Sequence, residues 1–263
     1  MSATPTIVIC SGAWPLAIFF QPLIQAFEAQ QHVAICKVPE SYPAFDPANP
    51  VKRNYDGLFL RDKVLNPLLE EGKDIVVFMH SYGGVYGAEA LEGTSKKERA
   101  EKGLKGGVIA AIFNAAFIAP KGVSAMSAMG LDPENLPEYL EHDRTTGLVG
   151  FKKGAAKAML FHDLPDDEAN RLADMLPKQP LTCFSTPAHW DPYHDPNFKG
   201  KLGYIHTEAD RALPLAIQEA FVETAAIGFT YVLKNSSHSP HHEQPGVLAQ
   251  VVLDMINAIA KED

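Results

Sequence analysis

The sequence has 263 residues, of which 46% are hydrophobic and 21% are charged, and its formal net charge is -9. This composition is ordinary for a globular protein, and a single α/β domain commonly reaches this length. An acidic surface repels nucleic-acid phosphates and anionic lipids, so neither a nucleic acid nor a membrane surface is expected as a partner.

Strand-like and helix-like segments alternate along most of the chain, which predicts a mostly parallel central sheet flanked by helices. Short apolar runs predict strands, and apolar residues at helical spacing predict the helices between them. The predicted strands cover residues 6–10, 33–38, 74–80, 107–118, 202–207 and 228–233. The last predicted helix carries Leu248, Val252, Met255 and Ile259 on one face.

The regular alternation stops between residues 119 and 198, a stretch rich in proline, methionine and short helical pieces such as 166–176. We interpret this stretch as a helical cap inserted into one α/β domain. The predicted core therefore consists of residues 1–118 and 199–263.

A candidate nucleophile, Ser81, stands directly after the third predicted strand and directly before a helix. A sharp strand-to-helix turn lifts such a serine above the sheet edge, and small residues, here Gly83 and Gly84, must follow it. The helix that follows points its N-terminus at the reacting centre and favours negative charge there. The usual pattern is Gly-x-Ser-x-Gly, and Met79 replaces the first glycine. The alternative is an ordinary serine N-cap.

A serine hydroxyl needs a base to take its proton and an acid to orient that base. In folds with this type of turn the acid follows a late strand and precedes the histidine. Asp210 meets both requirements, with Thr207 three residues before it and Pro214 after it. Glu208 is the rival acid, and an alternative role for Asp210 is capping the helix that follows.

Three histidines follow the last predicted strand. His238 comes first, in a turn of small residues, and is the predicted general base. His241 and His242 precede the final helix, where solvated or capping roles are expected. A metal site made of His238, His241 and Glu243 is a weaker alternative, because it leaves Ser81 without a role.

Attack on an ester carbonyl creates an oxyanion that needs aimed N–H donors. The backbone N–H of Tyr82, just after the serine, is one predicted donor. The loop after the first strand supplies the other, which we assign to the backbone of Ala13, because Gly12 permits a close backbone approach.

Together these motifs resemble those of the compact α/β hydrolases, which include plant methyl esterases, hydroxynitrile lyases and fungal homologues. The resemblance spans nearly the whole chain. It is carried by residues 11–14 (Ser-Gly-Ala-Trp), 80–84 (His-Ser-Tyr-Gly-Gly), 116–120 (Ala-Phe-Ile-Ala-Pro), 161–165 (Phe-His-Asp-Leu-Pro), Asp210 and 238–240 (His-Ser-Pro). It implies the α/β-hydrolase fold and hydrolytic chemistry.

The sequence departs from the family's usual pattern at Ser11, and from its lyase branch at two further positions. The first loop usually begins His-Gly, whereas here it reads Ser11-Gly12. By hand alignment, a threonine of the lyase branch falls at Gly12 and a lysine of that branch falls at Ser239. Without these two polar groups, cyanohydrin cleavage is not expected.

We therefore interpret the chain as a serine hydrolase that cleaves a small or medium carboxylic ester, thioester or lactone through an acyl-enzyme, with no cofactor or metal. A lyase, cyclase or acyl-transfer step on the same triad is the alternative, and a ligand receptor is a third. The predicted pocket walls are Trp14, Phe117, Met126, Met129, Trp190 and Tyr193. His189 could also reach the site, although a packing or solvated role is preferred.

Three cysteines, Cys10, Cys36 and Cys183, cannot all pair, and two of them lie in apolar strand-like runs. Reduced thiols and a cytoplasmic location are expected. No stretch approaches the roughly 18 apolar residues that a membrane span requires. The partner is expected to be a small-molecule substrate, and the sequence does not distinguish a monomer from a homodimer.

Overall fold

The computed structural model describes residues 4–14, 16–39 and 55–262. Its main sheet has six strands in the order β2-β1-β3-β4-β8-β9, and every neighbouring pair is parallel. These strands are β1 (Thr6–Cys10), β2 (Ala34–Cys36), β3 (Asp74–His80), β4 (Gly107–Asn114), β8 (Leu202–Thr207) and β9 (Phe229–Leu233). The predicted parallel sheet flanked by helices is confirmed.

A second, antiparallel sheet lies within the segment between β4 and β8. Its strands are β5 (Leu140–Asp143), β6 (Leu148–Phe151) and β7 (Gln179–Pro180), in that order. The sequence predicted only helical pieces in this segment, so the sheet is a correction. Its strands are short, and β5 alternates between half-buried and exposed positions, which gives a weak apolar signal.

Helices connect the strands and cover both faces of the main sheet. The first half of the chain contains α1 (Gln21–Glu28), α2 (Tyr55–Leu60), α3 (Asn66–Glu70), α4 (Gly83–Ala90), α5 (Lys96–Glu101) and α6 (Ala125–Ala128). The second half contains α7 (Ala155–Leu160), α8 (Asp166–Met175), α9 (Thr182–Ser185), α10 (Leu215–Thr224), α11 (Pro240–Glu243) and α12 (Pro245–Ala260). A 3₁₀ helix (Ala17–Phe20) precedes α1, and a π-helix (Arg61–Leu65) joins α2 to α3.

Two apolar clusters form the core, one on each face of the main sheet. Side chains alternate across a strand, and accordingly Val77 and Met79 belong to the first cluster while Val76 and Phe78 belong to the second. Because β3 is buried on both faces, its sequence is apolar almost throughout.

Three predicted strands, 6–10, 74–80 and 202–207, have the bounds that the structure shows, whereas β2 is shorter than expected. The fourth predicted strand, 107–118, ends instead at Asn114. Ala115 adopts a φ of 42°, which turns the chain out of the sheet. Beyond it, the hydroxyl of Tyr204 donates to Ala116 O at 2.8 Å and accepts from Ala116 N at 3.0 Å. The apolar run therefore continues after the strand has ended.

Two further observations concern the chain as a whole. Among the described residues, no helix combines the length and apolar character that crossing a bilayer requires. The cysteines Cys10, Cys36 and Cys183 are all free thiols. Burial raises the pKa of the Cys10 thiol well above its usual range.

Candidate active site

Ser81 occupies a strained turn between β3 and α4. Its φ is 53°, in the left-handed region that a residue with a side chain adopts only at a cost. A Cβ added at Gly83 would lie 2.5 Å from Cys10 O, and one at Gly84 would overlap Phe117 O. Backbone thus crowds the turn on both sides, which explains why two glycines follow the serine.

The position that usually carries the first glycine of this turn is filled by Met79. Its side chain is fully buried. A Cβ added at Gly87, on α4, would lie 2.7 Å from Met79 Cγ and 2.8 Å from Met79 Sδ. The methionine therefore fits because the facing helix has no side chain at residue 87.

Ser81, His238 and Asp210 form one hydrogen-bonded chain. His238 Nε2 lies 2.9 Å from Ser81 Oγ, and His238 Nδ1 lies 2.7 Å from Asp210 Oδ2. The side chain of Asp210 is fully buried and that of His238 is 5% exposed. A carboxylate can only accept, so Nδ1–H donates to Asp210 and the lone pair of Nε2 faces the serine hydroxyl.

Asp210 is held by three further donors besides His238. Thr207 Oγ1 donates to Oδ2 at 2.9 Å, and the backbone N–H groups of Ala212 and Leu213 donate to Oδ1 at 2.8 Å each. The rival acid, Glu208, instead binds Lys234 Nζ at 2.7 Å in an exposed ion pair. The structure therefore brings Asp210, and not Glu208, behind the histidine.

Gln218, on α10, fixes the loop that carries Asp210, and the sequence analysis missed it. Gln218 Nε2 donates to Thr207 O, Thr207 Oγ1 and Leu213 O at 3.0, 3.1 and 2.7 Å. Its Oε1 accepts from Thr207 N at 3.0 Å. The available signal was a polar glutamine on the buried face of an amphipathic helix. Its partners lie in a loop whose position cannot be read from the sequence.

The loop after β1 passes directly beside the serine. A Cβ added at Gly12 would lie 3.0 Å from Ser81 Cβ. Tyr86, on α4, donates its hydroxyl to Ser11 O at 3.1 Å and lies 3.2 Å from Ser11 Oγ. Tyr86 therefore ties this loop to α4 through both the backbone and the side chain of Ser11. Of the two predicted oxyanion donors, Ala13 lines the same cavity as Ser81, and Tyr82 follows Ser81 as the N-cap of α4.

Contacts from the segment between β4 and β8 fix the next residue of that loop. Trp14 N donates to Gln179 Oε1 at 3.0 Å, and Trp14 Nε1 donates to Val149 O at 2.9 Å. Gln179 and Val149 lie on β7 and β6, so the second sheet holds the loop in place.

The loop that carries His238 is fixed by two acidic side chains. Ser237 N donates to Asp163 Oδ2 at 3.1 Å and to Glu243 Oε2 at 3.2 Å, and Ser237 Oγ donates to Glu243 Oε1. Burial raises the pKa of Glu243 to about 8, and the neighbouring Asp163 adds to this rise. The sequence analysis gave Glu243 a role only in the alternative metal site, and it gave neither acid a role in positioning His238.

His80 and His241 lie close to the general-base candidate. The ring of His80 lies 4.8 Å from those of His238 and His241, and His241 stacks on Phe20 at 4.4 Å. The expectation that His241 is solvated is wrong, because the residue is only 4% exposed. Burial lowers the pKa of His80 and of His241 well below the usual range, and the neighbouring histidines lower it further.

A cavity opens above Ser81 and His238, with an empty volume of about 1080 Å³ that includes its mouth. The predicted wall residues Trp14, Phe117, Met126 and Met129 line it. None of its lining residues in the described chain is Asp, Glu, Lys or Arg. The cavity therefore suits an uncharged apolar ligand.

Two predicted wall residues lie elsewhere, which corrects that part of the prediction. The ring of Trp190 packs 6.0 Å from Phe198, and the ring of the half-buried Tyr193 packs 6.0 Å from Phe113. Neither residue is among those that line the cavity.

His189 and the alternative metal site were two further hypotheses drawn from the sequence. His189 donates its backbone N–H to Glu89 Oε1 at 2.7 Å, and its Nδ1 lies 2.5 Å from the same oxygen, so its polar contacts are to α4. No group of three or more His, Cys, Asp or Glu side chains in the described chain is arranged to hold a metal ion.

The chain is similar in sequence to known alpha/beta hydrolases. The family model described as the alpha/beta hydrolase family matches residues 7–251. The chain is 24% identical over 249 residues to the alpha/beta hydrolase nvfD of Aspergillus novofumigatus, covering 94% of this chain and 95% of that protein.

Solved structures with a similar fold include two plant-type esterases. A mutant of polyneuridine aldehyde esterase matches with a TM-score of 0.74 and 16% identity, covering 96% of this chain and 99% of the other. The methylesterase MES16 of Arabidopsis matches with a TM-score of 0.71 and 17% identity, covering 97% and 99%. With the family match spanning nearly its whole length, this chain belongs to the alpha/beta hydrolase family.

Proposed function

We propose that this protein is a serine hydrolase that cleaves an uncharged carboxylic ester, thioester or lactone through an acyl-enzyme. The observation that carries the proposal is the hydrogen-bonded chain from Ser81 Oγ through His238 to Asp210. The strained turn at Ser81 and the apolar cavity above it add support. The esterase names of two structural neighbours point to the same class of reaction.

In the acylation half, Ser81 Oγ attacks the carbonyl carbon of the substrate while His238 Nε2 takes the hydroxyl proton. Asp210 keeps Nδ1 protonated and stabilises the imidazolium that forms. The backbone N–H groups of Ala13 and Tyr82 are proposed to bind the oxyanion. The bond to the alcohol oxygen then breaks, and His238 returns the proton to the leaving group.

In the deacylation half, a water molecule takes the place of the alcohol. His238 removes a proton from this water as its oxygen attacks the acyl carbon. The bond between the acyl carbon and Ser81 Oγ breaks, and the proton passes from His238 to the serine. An ester gives a carboxylic acid and an alcohol, a thioester gives a carboxylic acid and a thiol, and a lactone gives a hydroxy acid. The enzyme returns to its starting state.

We infer that residues 119–198 form the cap and that residues 1–118 and 199–263 form the catalytic core. The cavity supports this division, because part of its lining comes from the inserted segment, including Met126, Met129, Leu136 and Leu181. The hydrogen bonds from Trp14 to Val149 and Gln179 join the two parts at the active site.

A fluorophosphonate probe, followed by peptide mapping, tests the nucleophile without knowledge of the natural substrate. We expect a single labelled site at Ser81. The Ser81→Ala variant should lose the label and lower ester turnover by roughly 10⁴- to 10⁶-fold while keeping its circular dichroism spectrum. Ser239→Ala, which alters another serine of the same cavity, should still be labelled at Ser81. Labelling of the Ser81→Ala variant would refute the assignment.

A further inference from the structure

The lining of the cavity draws on both apolar clusters. Ser81 follows β3, a central strand whose alternate side chains enter these clusters on opposite faces of the sheet. We call the lining residues of the first cluster the first arm and those of the second cluster the second arm.

The first arm is built from residues of the first cluster. Its lining includes Phe117, Met126, Met129, Leu136, Leu181 and Phe184. It begins at the loop beside the serine, because the ring of Trp14 lies 5.5 Å from that of Phe184. Met129 is the C-cap of α6 and is half-buried. Its side chain lines the cavity and is not fully packed in the core.

The second arm is built from residues of the second cluster. Its lining includes Phe19, Phe20, Met159, Leu160, Phe161 and Leu176. It also begins beside the reacting centre, because Phe20 lies 5.9 Å from the ring of His80 and stacks on His241 at 4.4 Å. Met159 on α7 is half-buried, as Met129 is in the first arm.

We propose that the preferred substrate is an uncharged ester with a bulky apolar group on each side of its carbonyl, one group in each arm. This rests on the proposed function of Ser81 as nucleophile. A methyl ester would fill only one arm and would leave the apolar surface of the other without a partner. Binding energy from groups remote from the carbonyl is what positions the carbonyl for attack.

The composition of the lining also makes both arms unfavourable for a charged group of the substrate. No acidic or basic side chain other than histidine lines them within the described chain, and a buried carboxylate or ammonium without a partner is unfavourable. His80 and His241 do not offer a cationic partner, because both rings are buried.

Four uncharged esters test the proposal: methyl acetate, methyl dihydrocinnamate, naphthylmethyl acetate and naphthylmethyl dihydrocinnamate. They combine a small or large acyl group with a small or large alcohol. We expect the doubly large ester to have the highest kcat/KM, about 100-fold or more above methyl acetate. Adding a carboxylate to its naphthyl ring should lower kcat/KM by about 100-fold.

Two matched variants assign the arms. Met129→Trp narrows the first arm and Met159→Trp narrows the second, and both start from a half-buried methionine. We expect both to lower kcat/KM for the doubly large ester by about 10-fold or more. The preference between the two singly large esters should shift in opposite directions in the two variants. Val33→Trp, at a residue that is 61% exposed and precedes β2, serves as the control.

The outcomes separate this inference from the proposed function. If the fluorophosphonate does not label Ser81, the proposed function fails. If Ser81 is labelled but the doubly large ester is no better than either singly large ester, or is not cleaved, only the two-arm inference fails. The same conclusion follows if both tryptophan variants impair the same singly large ester.

Discussion

The loop of His238 is held on one side by Asp210 and on the other by Glu243, and the two acids differ in their surroundings. Asp210 is fully buried, and its carboxylate accepts hydrogen bonds from Thr207, Ala212, Leu213 and His238. Glu243 is half-buried and shares the N–H of Ser237 with a second acid, Asp163. The neighbours of a carboxyl group thus decide whether it orients a base or shares a proton.

Replacing the carboxylate of Asp210 should have the largest effect on catalytic activity. Asp210→Asn places an amide behind His238, which favours the wrong tautomer of the ring. We expect kcat/KM for an ester to fall by about 10⁴-fold with little change in the circular dichroism spectrum. The control is Glu208→Gln, at the exposed neighbouring acid, which should keep nearly full activity. Similar losses in both variants would contradict the assignment of Asp210.

Loosening the support of Asp210 should have an intermediate effect. Gln218→Leu keeps the volume of the side chain but leaves Thr207 N–H, Thr207 O and Leu213 O without their partner. Each buried group left unpaired costs roughly 1 to 3 kcal/mol of unfolding free energy. Urea unfolding measures this loss, and kcat should fall about 10-fold. Gln250→Leu, at an exposed glutamine on α12, should change neither quantity measurably.

Replacing Glu243 should have the smallest effect, and the size of that effect should depend on pH. The pKa of Glu243 is raised from 4.5 to about 8 in the folded protein. Such a group contributes stability fully below about pH 4.5 and loses that contribution as the pH rises through about 8. Glu243→Gln does not titrate, so its unfolding free energy relative to the wild type should rise across this window.

The pH dependence of kcat offers a second test of the pair formed by Asp163 and Glu243. Above about pH 8, two carboxylates converge on Ser237 N–H, and their repulsion should displace the adjacent His238. We expect the wild-type kcat to decline there and the Glu243→Gln variant to retain more activity. Asp163→Asn removes one of the two carboxylates and therefore their repulsion, so this variant should also retain more activity above about pH 8. An unchanged alkaline limb in both variants would show that the acid pair does not position the loop.

The sequence predicted most of the main sheet because its strands are short apolar runs bounded by turns. The bounds of β3 follow from this pattern, since Asp74 and Ser81 end the run on either side. The end of β4 did not follow, because Ala115 and Ala116 are as apolar as the strand and only the backbone turn at Ala115 ends it. The strands β5 to β7 were missed because they are only two to four residues long, and β5 is also partly exposed.

The candidate site was predictable where local signals exist and not where distant segments meet. Ser81 stands at a recognisable strand-to-helix turn, and Asp210 and His238 follow late strands in the expected order. Asp163 and Ser237, by contrast, are 74 residues apart, and nothing local links them. Trp190 and Tyr193 were misplaced because an aromatic residue in an inserted segment looks the same whether it faces a cavity or the core.

The contact between Met79 and Gly87 has a consequence for engineering this chain. Gly87→Ala alone would force the new methyl group against the methionine side chain, while Met79→Gly alone would leave a void beside the nucleophile turn. A library that randomises either codon separately would therefore recover few folded clones. The two positions have to be diversified as a pair.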